Sequence, residues 1–309
     1  MAPLRSLFAA ALAIFAVPCL AVEPAAVYDG GHGKDGKIEL RIANGGAGQS
    51  GLIKELADAF IRSQAKNKTG GAFRVAWYRS DTTYTIEYLK SGTVDVGITY
   101  DPAAEQIAID KGIAKSPSYY AFRDHFLLVG PKSNPANLTK SSGILNMFSQ
   151  IRDAAEGNMT SPPVRFLSRY DKSATNIKES KLWTQVGQVP WATSYSPWYH
   201  QYIAFPIEAL TAAIKLEEYT ISDRGTLLSL DSRLRNETVV YKASTDNPDD
   251  LLLNPAHLLV ASKPKNSQMA ERFAKWLVSR EGQMVVAGFK KGGEQLYTPA
   301  PNNSTRSAR

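Results

Sequence analysis

Between Ser168 and Thr175 the chain sets an arginine, an aspartate and three hydroxyls close together: Ser168, Arg169, Asp171, Ser173 and Thr175. Upstream, the apolar run Val164 to Leu167 reads as a buried strand. Downstream, Ser173 and Thr175 open a segment that reads as helix as far as Trp183. Such a strand-to-helix turn suits an anion. The first N–H groups of a helix lack intrahelical partners, and the helix dipole favours negative charge there. A guanidinium adds charge and a fork of donors. The same residues also fit a plain N-cap at Ser173 and a surface ion pair at Arg169.

The stretch Ala43 to Gly51, ANGGAGQSG, has related geometry. It follows a strand at Lys37 to Ile42 and leads into a helix with Leu52, Ile53, Leu56 and Phe60 on one face. It is too glycine-rich to read as a regular element. It lacks the spacing and the Lys-Ser/Thr of a phosphate-binding P-loop, so a nucleotide site is not expected, and an ordinary tight turn is the plainer alternative. Gly48-Gln49-Ser50-Gly51 is one residue short of a nucleophile elbow. The histidines His32, His125, His200 and His257 show no metal-ligand spacing. Asp101, Asp171 and Asp223 read either as cleft carboxylates or as turn caps and ion pairs. No catalytic set, metal site or cofactor emerges, and the chain reads as a non-enzyme.

Around these stretches, strands and helices alternate. Residues 22–36 read as a flexible lead-in. Strands are expected at Phe73 to Tyr78, Thr93 to Tyr100 and His125 to Val129, with helices at Tyr84 to Lys90 (closed by Gly92), Ala103 to Lys111 and about Ser142 to Ala155. Trp191 to Phe205 is an aromatic loop, either packed under a small core or forming a cleft wall. Helix Glu208 to Leu216, strand Tyr219 to Thr226 and short strand Val239 to Tyr241 follow. A strand lies within Leu251 to Ser262. Two helices run from Gln268 to Phe289, interrupted at Ser279 to Gln283, and a disordered tail, 301–309, ends the chain. This alternation is the mark of α/β architecture with mostly parallel sheets.

Residues 1–21 carry one positive charge at Arg5, an apolar run from Leu7 to Leu20 and a small residue at Ala21, the pattern of a signal peptide cleaved after Ala21. Cys19 is the only cysteine, so the mature chain is expected to have no disulfide or thiolate chemistry. Without Arg5 the formal charge of +7 becomes +6. The basic residues are scattered, which argues against nucleic acid and allows a mild attraction for anions. No other run spans a bilayer, so no membrane anchor is expected. Asn67, Asn137, Asn158, Asn236, Asn302 and Asn303 begin glycosylation sequons, which favours a eukaryotic secreted protein over a periplasmic one.

Several segments together resemble the tungstate-binding TupA-like family of solute-binding proteins, of the type II periplasmic-binding-protein fold. They are SGL at Ser50 to Leu52, FRDHFLLVGP at Phe122 to Pro131, FLSRYDKSATNIKESKLW at Phe166 to Trp183, YTISDRGT at Tyr219 to Thr226, LLLNPAHLLVA at Leu251 to Ala261, and SREGQ at Ser279 to Gln283. The resemblance runs from about Lys37 to Ala300. It implies a two-lobed α/β PBP-like domain over 37–300, with lobe one 37–129 plus 257–300, lobe two 130–256, and two crossover strands as hinge. It implies a small anionic ligand, tungstate or molybdate-like, between the lobes. Its contacts would come from Arg169, Asp171, Ser173 and Thr175 on one side and Asn44, Gly45, Gly46 and Ser50 on the other, with Arg224 of the SDRGT segment either facing the cleft or structural. An ABC transporter partner follows only for a bacterial source, and a monomer is the default.

The chain departs from the family pattern where a Thr-rich first turn becomes Ala43-Asn44-Gly45-Gly46, where Tyr170 and Ala174 replace glycines, and where a glycine-rich stretch becomes Ile203 to Leu210. These changes open two alternatives: an organic anion in a cleft enlarged by Trp191, Trp198 and Tyr199, or an enzyme built on the same fold.

Overall fold

The computed structural model describes residues 22–33, 35–66, 72–157, 160–192 and 196–301. The expected signal peptide, Cys19, the sequons at Asn67, Asn158, Asn302 and Asn303, and the tail from 302 lie outside the described residues. The sequons at Asn137 and Asn236 are exposed.

In chain order the strands are β1 (Ala26–Tyr28), β2 (Lys37–Asn44), β3 (Phe73–Arg79), β4 (Val96–Thr99), β5 (Tyr119–Pro131), β6 (Phe166–Ser168), β7 (Tyr199–Gln201), β8 (Thr220–Asp223), β9 (Thr238–Ala243) and β10 (Leu253–Val260), with short pairs at β11 (Lys290–Lys291), β12 (Glu294–Gln295) and β13 (Thr298–Pro299). The helices are α1 (Gly46–Ser50), α2 (Leu52–Lys66), α3 (Thr82–Ser91), α4 (Pro102–Asp110), α5 (Ile144–Glu156), α6 (Ala174–Gln185), α7 (Pro206–Lys215), α8 (Arg224–Ser229), α9 (Ser232–Arg235), α10 (Ser267–Leu277) and α11 (Arg280–Gly288).

One sheet has the order β1-β3-β2-β4-β10-β5-β13. Strands β2, β3 and β4 are parallel, while β10 runs antiparallel to β4 and β5. Its faces are covered by α2, α10 and α11 on one side, where Phe60, Phe273 and Leu277 are fully buried, and by a smaller cluster with Leu89 and Ala108 on the other. Cover on both faces explains why β2 is buried at consecutive positions, Ile42, Ala43 and Asn44, instead of alternating. Strand β5 then leaves this sheet. Its first half pairs with β10, and from Phe126 onward it pairs with β8 and β9. Strand β6 joins β8 through Leu167 N–H to Tyr219 O (2.8 Å) and pairs in parallel with β7. A second core forms here around Phe148, Phe166 and Trp183, whose rings lie 4.5–5.6 Å apart.

Three expectations are corrected. The sheets are mixed and not mostly parallel, because β1, β5, β8, β9, β10 and β13 all pair antiparallel. Residues 22–36 are not simply a lead-in, because β1 pairs antiparallel with β3, Ala26 opposite Trp77. Long-range contacts order this strand and the residues after it: the β3 pairing, Ala26 and Tyr28 packed on the core, and Gly30 N–H donating to Asp58 Oδ1 at 3.0 Å. The glycine-rich turn after β2 does contain a regular element, α1. The Asn44 side chain accepts the Gly48 N–H at 2.9 Å, and a Cβ at Gly48 would lie 2.2 Å from the Trp77 ring, so glycine is what lets this turn of helix pack. Boundaries also move: β8 stops at Asp223, which becomes the N-cap of α8, and the break between α10 and α11 is confined to Val278 and Ser279, Ser279 capping α11.

Candidate functional site

Successive strand ends and helix starts converge on one cleft of about 840 Å³. From the first sheet come Gly45 and Gly46 after β2, Arg79 to Tyr84 between β3 and α3, and Ile98 and Tyr100 at the end of β4. From the other body come Arg169 to Thr175 between β6 and α6, and Ile203 to Pro206 between β7 and α7. Asp124 and Phe126 of β5, Asp223 of β8 and Asn254 of β10 line it where the two crossing strands meet. Ligands of open α/β sheets bind at the carboxyl ends of strands for the same reason: helix N-termini and loop donors collect there.

The β6–α6 turn is built around Arg169, which is 8% exposed. Its Nε donates to the Ala204 carbonyl at 3.1 Å, Nη1 donates to Thr175 Oγ1 at 3.4 Å, and Nη2 pairs with Asp171. Three of five guanidinium N–H groups are thus used to fix the fork, which leaves capacity toward the cleft. Asp171 also accepts the Ser173 N–H at 3.0 Å, and Ser173 caps α6 by accepting the Asn176 N–H at 3.4 Å. Ser168 is buried behind the turn and accepts from Tyr170 N–H and Asn176 Nδ2. Behind it, Glu179 accepts the Tyr199 hydroxyl at 2.7 Å, and burial pushes its carboxyl up to about 8. Tyr170 (φ 48°) and Lys172 (φ 62°) hold left-handed backbone, which explains the glycine expected at the Tyr170 position.

On the facing wall, Asp81 caps α3 through the Tyr84 N–H at 2.8 Å. Burial raises its carboxyl, and the Asp171 charge across the cleft raises it further. Gly45 has no room for a side chain, since a Cβ would meet the Ser80 carbonyl at 2.6 Å. The walls already touch: Thr83 Oγ1 donates to Lys172 O at 3.4 Å, Arg79 lies 4.3 Å over the Phe205 ring, and Lys181 pairs with Asp101, the N-cap of α4.

At the floor, Asp124 accepts from Asn254 Nδ2 at 3.0 Å and from His125 N–H at 2.8 Å. Burial, with the nearby Asp223 charge, pushes Asp124 up to about 7. Asp223 accepts Thr226 N–H at 2.8 Å and Thr226 Oγ1 at 2.5 Å. Lining carboxyls (Asp81, Glu87, Asp124, Asp171, Asp223) outnumber lining cations (Arg79, Arg169, Lys172). The lining therefore favours aimed donors over a diffuse positive field.

Of the expected contact residues, Gly45, Gly46, Arg169, Asp171, Ser173 and Thr175 line this cleft. Asn44, Ser50 and Arg224 do not. The Asn44 side chain is spent on the Gly48 N–H, the Ile98 carbonyl and the Tyr100 hydroxyl. Ser50 bonds the Ala47 carbonyl and, at 2.8 Å, the Tyr297 hydroxyl. The Arg224 charge acts on Asp124 and His125. The aromatic loop divides: Trp198 and Tyr199 are buried in the second core with Trp191 packed against it, while Ile203 to Phe205 reach the cleft. The 79–83 turn carries its own signal in the sequence, since Arg-Ser-Asp-Thr-Thr after a strand is an N-cap pattern. Asp124 and Asn254 gave no local signal, because only the β5–β10 pairing brings them together.

Two α/β bodies joined by crossing strands, with a cleft between them, define a periplasmic-binding-protein fold. A family model described as a PBP superfamily domain matches residues 29–281, and the chain belongs to that superfamily. It is similar to a crystallised periplasmic protein described as a candidate metal binding protein, with 65% identity and a TM-score of 0.84 over 89% of this chain and 99% of that one. It is 28% identical to the tungstate-binding protein TupA of Peptoclostridium acidaminophilum, over 86% of this chain and 89% of that protein. It is 29% identical to a candidate ABC transporter anion-binding protein of Haloferax volcanii, over 73% of this chain and 63% of that protein's length. No helix among the described residues is long and apolar enough to cross a membrane.

Proposed function

We propose that this protein is a non-catalytic solute-binding protein that captures an oxyanion between two lobes outside the cytoplasm. Tungstate and molybdate are the first candidates. The observation that carries this reading is the buried Arg169 fork, fixed by three partners at the N-terminus of α6 and lining the cleft. The names of TupA and the haloarchaeal relative, both anion binders, support the ligand class. In this reading 37–129 plus 257–300 and 130–256 are the lobes, β5 and β10 the hinge, and closure a hinge motion. Arg169, Thr175, Gly45 and Gly46 are the contact residues, with Asp171 and Ser173 shaping the turn.

The test is the thermal unfolding midpoint of residues 22–309 with tungstate, molybdate, sulfate or phosphate. A ligand at 100 times its Kd adds about 2.7 kcal/mol to stability. At roughly 2–4 °C per kcal/mol that is a shift of several degrees. Tungstate or molybdate is expected to give it. No shift with any of the four anions contradicts the reading.

A further inference from the structure

A bare tetrahedral anion leaves most of this cleft unexplained. Four oxygens around one centre fill the space of a few waters, about 30 Å³ each. The cleft, bridged by Thr83 with Lys172 and Arg79 with Phe205, measures about 840 Å³ before any hinge closure. That volume lies in the range of about 300–1,000 Å³ in which proteins bury organic ligands.

The extra space is lined by large apolar groups. Tyr84, Tyr170, Ile203 and Phe205 line the cleft, yet they are 60, 38, 74 and 47% exposed. They come from the first turn of α3 on one wall and from the β6–α6 and β7–α7 turns on the other. Tyr170 is the most informative of them. It holds a left-handed backbone (φ 48°) that a bulky side chain disfavours, next in sequence to Arg169, and both residues line the cleft. Phe205 already carries the Arg79 guanidinium on its face, so a second cation and a flat apolar surface lie together at the rim. Exposed apolar groups gathered around one cleft mark a surface that something covers.

We propose that, beyond a bare tetrahedral anion, the cleft takes an organic oxyanion with an aromatic or apolar body. Its anionic head sits on Arg169, and its body packs against Tyr170, Phe205 and Tyr84. This rests on the oxyanion reading for the head alone.

Titration calorimetry with phenylphosphonate and methylphosphonate tests it, since the two share a head and differ in body. Phenylphosphonate is expected to bind at least about tenfold more tightly, from burial of the ring. That ratio is expected to fall to within about twofold of one in Tyr170→Gly and in Phe205→Ala. Glycine suits the backbone at 170, so Tyr170→Gly keeps its fold, which its melting curve verifies. Equal affinities for the two phosphonates, or a ratio that survives both substitutions, overturn the proposal. Binding of tungstate with no binding of either phosphonate also overturns it and leaves the oxyanion reading standing. No binding of tungstate, molybdate, sulfate, phosphate or either phosphonate removes both.

Discussion

Replacing Arg169 with alanine is expected to damage the fold as well as the site, and the two effects can be separated. Arg169 is 8% exposed, and its partner Asp171 has a side chain 15% exposed. Removing the guanidinium leaves that carboxylate without its cation and takes a donor from the Ala204 carbonyl, so the β6–α6 and β7–α7 turns lose one tie and keep the Tyr202 N–H to Ser168 O bond at 2.8 Å. Breaking one side of a buried ion pair costs about 3–5 kcal/mol. At about 2–4 °C per kcal/mol, the melting point of Arg169→Ala should fall by roughly 6–20 °C. Removing both charges costs less than removing one, because no carboxylate is then stranded. Arg169→Ala/Asp171→Ala should therefore melt above Arg169→Ala, while both variants lose the melting-point response to tungstate. Differential scanning calorimetry of the three proteins decides this. A single variant that melts within about 1 °C of the parent would mean that the pair is solvated and worth little. A double variant less stable than the single would refute the stranded-charge argument.

Other outcomes follow from the same geometry. Asp124 and Glu179 are raised, to about 7 and about 8, from 3.8 and 4.5. A raised carboxyl stabilises the fold fully below its unfolded pKa and loses that contribution as pH climbs through the folded value. Stability should thus fall between pH 5 and 8, on the order of 1 kcal/mol per pH unit for each group still protonated, and chemical denaturation across that window checks it. Glu179→Gln, which mimics the neutral acid bonded to Tyr199, should cost under about 1 kcal/mol and flatten the slope; a large loss at pH 5 would show that the carboxylate, not the acid, is the buried form. Gly48→Ala should destabilise by about 1–3 kcal/mol because its Cβ runs into Trp77. Gly46→Ala, with no atom within 4 Å of the added carbon, should change urea-melt stability by under about 0.5 kcal/mol.

The elements with strong local signals were legible in the sequence. Asp101 before Pro102, Ser173 before α6 and Gly92 in left-handed backbone after α3 each mark a helix end by its own chemistry. The amphipathic faces of α2 and α10 likewise declare their cores. What escaped depends on distant partners. β1 is a strand because β3 offers an edge, and α1 is helical because the Asn44 side chain satisfies the Gly48 N–H and Trp77 covers it. Asp124 is part of the site only through β10. Asn44 and Ser50 have the right chemistry for a ligand, but internal partners claim their polar atoms, which residue type alone does not reveal.

The most direct measurement is a crystal structure of the protein grown with tungstate, in which the metal's anomalous signal locates the anion without ambiguity. One peak is expected in the cleft, within hydrogen-bonding reach of the Arg169 guanidinium and facing the Gly45–Gly46 turn. A peak elsewhere on the molecule, or a cleft that stays free of tungsten at saturating concentration, would contradict it.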